Sequence, residues 1–387
     1  MNSRERVLAA LDHREPDRVP LDLGGTVLTG ITWKAYVALR EYLGLPRIEP
    51  TVVDVVQQLA QVDDDVLDRL GVDVKNVAPR SSASYRIEIK DFEDGDYTCF
   101  HDEYGIGWRM PKVGGLYYDM FDHPLGGDID ESDVDRYALP DPTDPARFAG
   151  LKEAARRVIE EEQRALVVGN LCAGIFEMYL WTRGFLKGYS DFVGRPAFSQ
   201  KLMRRFLDMQ LAYWDRMFDI LGDMIDVVQV ADDFAGQHDM LISPDSYRRQ
   251  LKPLHKELFD FIHSRGRARV FLHSCGSIRK VIPDLIEIGL DIINPVQVSA
   301  AGMDSAELKR EYGKDLTFWG GGVDTQRVFD ENHTPEDVRE DVKRRLADLM
   351  PGGGFVFATV HNIQNNVPPE NVMAMWDTLR EYGSYGS

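Results

Sequence analysis

ARVFLHSCG, residues 268–276, is the stretch from which the organisation of the chain can be worked out. A mostly apolar run, ARVFL, leads directly into His273, Ser274, Cys275 and Gly276. A short run that is apolar at successive positions fits a strand covered on both faces. Upstream lies SPDSYRRQLKPLHKELFDFIHSRG (243–266), with a Ser/Asp start, apolar residues at helical spacing and a glycine stop. Downstream, DIINPVQ (291–297) repeats the short β-branched character. Helices alternating with apolar strands are the rhythm of a parallel sheet.

Following that rhythm outward gives eight strand candidates. The others are VPLDLGG (19–25), VDVKNVAP (72–79), ALVVGN (165–170), DVVQV (226–230), DLTFWGG (315–321) and GFVFATV (354–360). TPEDVREDVKRRLADLMPGG (334–353) is a further helix with a threonine cap and acidic first turn. Eight is the closure number of the (β/α)8 TIM barrel, so the count predicts an α/β barrel in one domain spanning residues 1–387. The alternative is an open doubly wound sheet, but no GxGxxG turn follows the first strand. Residues 82–125 break the alternation, with polar and apolar positions exchanging around DGD and GIG turns. They read as a β-rich insertion after the second strand. Cys99 and His101 lie there, but a hairpin position favours a structural role over metal binding. The acidic, proline-marked stretch 126–147 would lead from the insertion back to the main domain.

The 387 residues are 43% hydrophobic and 28% charged, an ordinary globular balance. The 64 acidic against 45 basic residues give a net charge of −19, a field that repels phosphate backbones and argues against a nucleic-acid partner. Three cysteines, Cys99, Cys172 and Cys275, are too few for a disulfide framework. The first twenty residues lack an apolar core of signal-peptide length, and charge interrupts every apolar run well short of a membrane span. A cytoplasmic protein without membrane contact is expected.

In a barrel of this type, chemistry sits at the carboxyl ends of the strands. Here those ends are unusually polar. Gly169 and Asn170, with Cys172 beyond, end the third strand, and Asp232, Asp233, Gln237 and His238 follow the fourth. His273 and Cys275 follow the fifth, Gln297 ends the sixth, Asp324 follows the seventh, and His361 and Asn362 follow the eighth. On an extended chain, His273 and Cys275 project from one face. Imidazole and thiolate suit zinc, and a catalytic zinc takes three protein ligands. His361 is the leading third, reached across the barrel mouth. Alone, the His-x-Cys pair is better explained as a strand end whose cysteine packs as a small hydrophobe, and His361 and the acidic pair at equivalent strand ends turn the balance toward a site. Asp232 and Asp233 read as catalytic carboxylates or as a helix cap. The glycine-rich turn before Asp324 is a weak phosphate-loop candidate, because no lysine follows it.

HSCG (273–276), GGVDTQ (321–326) and HNIQNNVPPENVMAM (361–375), with the opening RERVLAALDHREPDRVPLDL (4–23), resemble the uroporphyrinogen decarboxylase superfamily. The resemblance covers nearly the whole chain and implies a (β/α)8 barrel. It is strongest to the corrinoid-linked branch, similar to methylcobalamin:coenzyme M methyltransferase. There a His-x-Cys and a later cysteine hold zinc (Zn2+), which activates a thiol. His273 and Cys275 match the first two ligands. At the third position the methyltransferases have cysteine, whereas this chain has His361, as the decarboxylases do. True decarboxylases carry arginines after the first strand that bind substrate carboxylates, whereas LDLGGTVLTGITW (21–33) has none.

The resemblance therefore implies a methyltransferase working between methylcobalamin on a corrinoid-binding partner protein and a small-molecule methyl acceptor or donor. Asp232 or Asp233 would take a proton or orient a zinc ligand, and Asn170, Gln237, Gln297, Asp324 and Asn362 would contact substrate. Superfamily members often pair, which implies a homodimer. The competing expectations are a cofactor-independent decarboxylase and a binding protein without catalysis.

Overall fold

In the computed structural model, which describes residues 1–93 and 95–386, seven parallel strands form one sheet. In chain order they are β1 (Val74–Val77), β2 (Ala165–Val168), β3 (Val227–Ala231), β4 (Arg269–His273), β5 (Ile292–Asn294), β6 (Thr317–Trp319) and β7 (Phe355–Val356). Each pairs with the next from one edge to the other, without the reversal of a doubly wound sheet. Every residue of β2, β5, β6 and β7 is buried, because helices cover the sheet.

The stretch 19–25 does not form the eighth strand expected of it. Its isolated bridge, Leu21 to Phe357, nevertheless joins the two sheet edges. The Asp22 N–H donates to the Phe357 carbonyl at 2.9 Å and the Phe357 N–H to the Pro20 carbonyl at 2.8 Å. On the other side, the Asp73 N–H beside β1 donates to the Leu21 carbonyl at 2.9 Å. One segment thus bonds toward both β1 and β7, and the sheet curls around to meet it. A regular ladder fails because Pro20 has no N–H, and Gly24 at φ +80° turns the chain away.

Four short antiparallel strands, Lys90–Asp91, Tyr97–His101, Gly107–Pro111 and Asp119–Asp122, form a separate sheet within residues 82–125. The DGD turn expected there includes residue 94, which lies outside the described residues. Trp108 and Tyr118 of this sheet are buried, and the Tyr118 N–H donates to the Val56 carbonyl, so the sheet is tied to the 52–57 segment. Among the described residues no helix is long and apolar enough to cross a membrane.

Candidate metal centre

His273 is the last residue of β4 and is buried. Its register partner on β5 is Asn294, the last residue of that strand. Asn294 Nδ2 donates to the Trp319 carbonyl at 2.7 Å, which leaves Oδ1 to accept from His273 Nδ1 at 2.5 Å. The proton is therefore held on Nδ1, and Nε2 keeps a lone pair. The same chain of contacts continues, with Trp319 Nε1 donating to Asp22 Oδ2 at 2.7 Å. Burial pushes the Asp22 carboxyl up to about 6, against the pull of hydrogen bonds from Trp319, Thr29 and the Gly25 N–H.

Cys275 follows two residues later, with its Sγ 3.4 Å from His273 Nε2. His361, beyond β7, presents its ring edge to His273 with centroids 5.4 Å apart. One ligand atom from each of His273, Cys275 and His361 lies within 4.8 Å of the others, a grouping that no other set of His, Cys, Asp or Glu side chains among the described residues reproduces. Tetrahedral zinc with bonds of about 2.0–2.3 Å places its ligand atoms about 3.3–3.8 Å apart, so a small inward movement of the wider pairs accommodates it. Burial lowers both imidazoles to about 4, so both are neutral donors at physiological pH. Burial also pushes the Cys275 thiol well up, as do Asp233 and Glu177, and a cation reverses that by stabilising the thiolate. Two neutral imidazoles and one sulfur suit zinc.

His273 and His361 line a cavity of about 480 Å3. Strand ends supply Asn170, Gln229 and Asp233, and the first turn of helix Ile175–Arg183 supplies Glu177. Leu28, Asp54 and Gln57 come from the amino-terminal part, and Asp102, Trp108 and Met120 from the antiparallel sheet. Asn170 Oδ1 accepts from the Leu171 N–H, while its buried Nδ2 has no partner. Asp233 Oδ1 accepts from the Cys275 N–H at 2.7 Å, fixing the backbone beside the sulfur. Burial pushes the Asp233 carboxyl up to about 6, with Asp232 adding to the rise.

The other carboxylate of the acidic pair is placed elsewhere. Asp232 caps helix Ile175–Arg183, accepting from the Phe176 N–H at 2.9 Å and the Glu177 N–H at 2.9 Å. It also meets His255 Nε2 at 2.9 Å. Its oxygens are held there, and it does not line the cavity. A Cβ on Gly174 would overlap the Ala231 carbonyl oxygen and the Asp232 carboxylate. Gly174→Ala should therefore destabilise the fold by about 1–3 kcal/mol in urea unfolding. An unchanged midpoint would refute the tight approach.

Four other sequence candidates are not brought to the cavity. Gln297 accepts from the Gly276 N–H at 2.7 Å and donates to Gln237 at 2.7 Å, and Gln237 donates to the Ser299 carbonyl, so both brace the loop after β4. Asp324 caps its own turn through the Gln326 N–H. Asn362 accepts from the Gly30 N–H at 2.6 Å and donates to the Val27 carbonyl and to Gln57, so it positions the loop that lines the cavity. Cys172 lines the cavity with its thiol pushed up to about 12 by burial. His101 is exposed and meets Asp122 at 3.2 Å.

Sequence reasoning did not single out Glu177, Gln229, Asp54, Asp102 or Trp108. Glu177 had a signal, since it stands in the first turn of a helix that opens at the end of a strand. Burial, Asp233 and Asp232 push its carboxyl well above the usual range.

Fold and site together define a barrel-like α/β protein with its chemistry-bearing side chains at the carboxyl ends of a curled parallel sheet. Residues 121–382 match the family described as Uroporphyrinogen decarboxylase (URO-D). The chain belongs to the uroporphyrinogen decarboxylase family. It is 23% identical over 300 residues to the uroporphyrinogen decarboxylase of Alkalilimnicola ehrlichii, covering 74% of each chain. To that of Neisseria meningitidis serogroup C it is 33% identical over 104 residues, 26% of each. The fold matches that of a methyltransferase from Methanosarcina mazei with a TM-score of 0.64, covering 99% of each chain at 18% identity.

Proposed function

We propose that this protein is a zinc-dependent methyltransferase that moves a methyl group between a corrinoid on a partner protein and a small thiol-type acceptor. The observation that carries this is the convergence of His273, Cys275 and His361 within 4.8 Å, with both histidines lining a cavity of about 480 Å3. The frame is a (β/α)8 barrel, with residues 20–22 in place of a regular eighth strand. Residues 82–125 are an insertion after the second strand position that roofs the cavity. His273 and His361 hold the metal as neutral imidazoles and Cys275 as thiolate. Bound zinc supplies the positive charge that lets an acceptor thiol ionise at neutral pH. Asp233 fixes the Cys275 backbone through one oxygen, and its other oxygen takes the acceptor's proton. Asn170 offers its unpaired Nδ2 to the bound molecule. The corrinoid domain docks at the cavity mouth, and the three free cysteines fit a reducing, cytoplasmic setting.

Decarboxylation of a tetrapyrrole is the second reading, favoured by the relatives and by Asp233 in the cavity. Against it, no arginine or lysine is among the described residues lining that cavity. A substrate with many carboxylates would meet acids and no cations.

Protein purified without added chelator is expected to carry about one zinc per chain. With methylcobalamin and a thiol it should convert the corrinoid spectrum to that of the demethylated form, and chelation should stop this reversibly. Chains that neither contain nor take up zinc would sink the reading.

A further inference from the structure

Several buried carboxylates outside the cavity are matched by cations, Asp73 by Arg6 and Arg18, Asp226 by Arg4, Asp191 by Arg183 and Asp284 by Lys252, whereas Asp22 is met by the Trp319 indole N–H and the Gly25 N–H. The cavity's own acids, Asp54, Asp102, Glu177 and Asp233, have no ion-pair partner among the described residues. Asp102 is compensated by the Tyr104 and Ile106 N–H groups and Trp108 Nε1, each at 2.9 Å. Asp54 accepts from Gln57, through its N–H and its Nε2, and from the Val56 N–H. Glu177 takes the Gly174 N–H at 3.2 Å, and Asp233 takes the Cys275 N–H through one oxygen. No hydrogen bond among the described residues reaches the other Asp233 oxygen.

A zinc ion with the Cys275 thiolate would bring one net positive charge. Four acidic side chains and no lysine or arginine line the cavity among the described residues, so the lining favours a ligand that brings positive charge. Part of the lining is aromatic: Trp108 and Trp181 both line the cavity, edge to face with centroids 5.4 Å apart. The faces of indole rings attract an organic cation, and the Trp108 N–H is already taken by Asp102.

We infer that the thiol taken at this centre is an aminothiol, a small thiol carrying an ammonium group and no anionic group. This rests on the methyltransferase reading for its sulfur, and on the cavity alone for its charge. The ammonium meets Glu177 and Asp233, and a sulfonate or carboxylate in its place would face like charge there.

The test uses zinc-loaded wild-type protein and three thiols of equal chain length: 2-aminoethanethiol, 2-mercaptoethanol and 2-mercaptoethanesulfonate. Binding is followed by calorimetry and by the fluorescence of the cavity tryptophans. The aminothiol is expected to bind at least about tenfold more tightly than the neutral thiol, and the sulfonate most weakly. Glu177→Gln should shrink the preference to about threefold or less without changing zinc content. Equal or tighter binding of the sulfonate overturns the inference, as does failure of all three thiols to bind to zinc-loaded protein. Absence of zinc defeats the methyltransferase reading separately. Ethylamine and ethanesulfonate then test the charge preference without sulfur, and equal binding of the two overturns it.

Discussion

Asp73→Ala is expected to lower the unfolding free energy by about 3–5 kcal/mol, the cost of removing one partner from a buried ionic cluster. Asp73 is fully buried just before β1. Its carboxylate accepts from Arg6 Nη1 at 2.6 Å, Arg18 Nη1 at 2.7 Å and the Leu21 N–H at 2.9 Å. Alanine would leave the Arg18 guanidinium without its countercharge, remove one of the two that Arg6 has, and leave one backbone donor of the closing segment without a partner. Arg6 retains Asp17, so the loss falls mainly on the segment 18–22 that joins the sheet edges. Urea unfolding should show the lower midpoint, and amide exchange in residues 19–23 should rise disproportionately. A variant within about 0.5 kcal/mol of wild type would show that closure does not depend on this cluster.

The second large effect is on metal. His273→Ala removes one of three proposed ligands and should reduce zinc below about a tenth of an equivalent per chain. Asn294→Ala removes no ligand. It leaves His273 Nδ1 without its acceptor and the ring free to turn, and should weaken zinc about 10–100-fold. Competition with a chromophoric chelator measures both. If Asn294→Ala binds zinc as tightly as wild type, the hydrogen bond does not set the ligand's orientation. If His273→Ala does so, the centre is not the one described.

Seven strands were legible because each is a short run with apolar residues at its buried positions, a pattern that survives without knowledge of its neighbours, although Lys75 and Asn76 leave Val74–Val77 only half covered. The stretch 19–25 carries the same pattern but fails as a strand at Pro20, where the missing N–H shows only once a partner strand is placed beside it. His273, Cys275 and His361 were legible from residue type and position at strand ends. The choice between Asp232 and Asp233 was not, because adjacent residues face opposite ways and only the placement of helix Ile175–Arg183 shows which one it claims. Gln297 and Asn362 also stand at strand ends, yet nearby backbone groups occupy them. Trp108 and Asp102 come from a hairpin far along the chain, and no spacing rule connects them to the strand ends they cover.

The run of contacts from His273 through Asn294 and Trp319 to Asp22 joins two things that a reader of the fold would treat separately. One end is the candidate centre, and the other is the segment that completes the ring. Linkage makes them reciprocal: an ion that holds His273 in place favours the completed ring by the same free energy with which the completed ring favours the ion. With zinc bound as proposed, the amino-terminal segment, remote from the centre in sequence, would be a determinant of metal affinity, and loss of the ion would loosen the seam of the curled sheet.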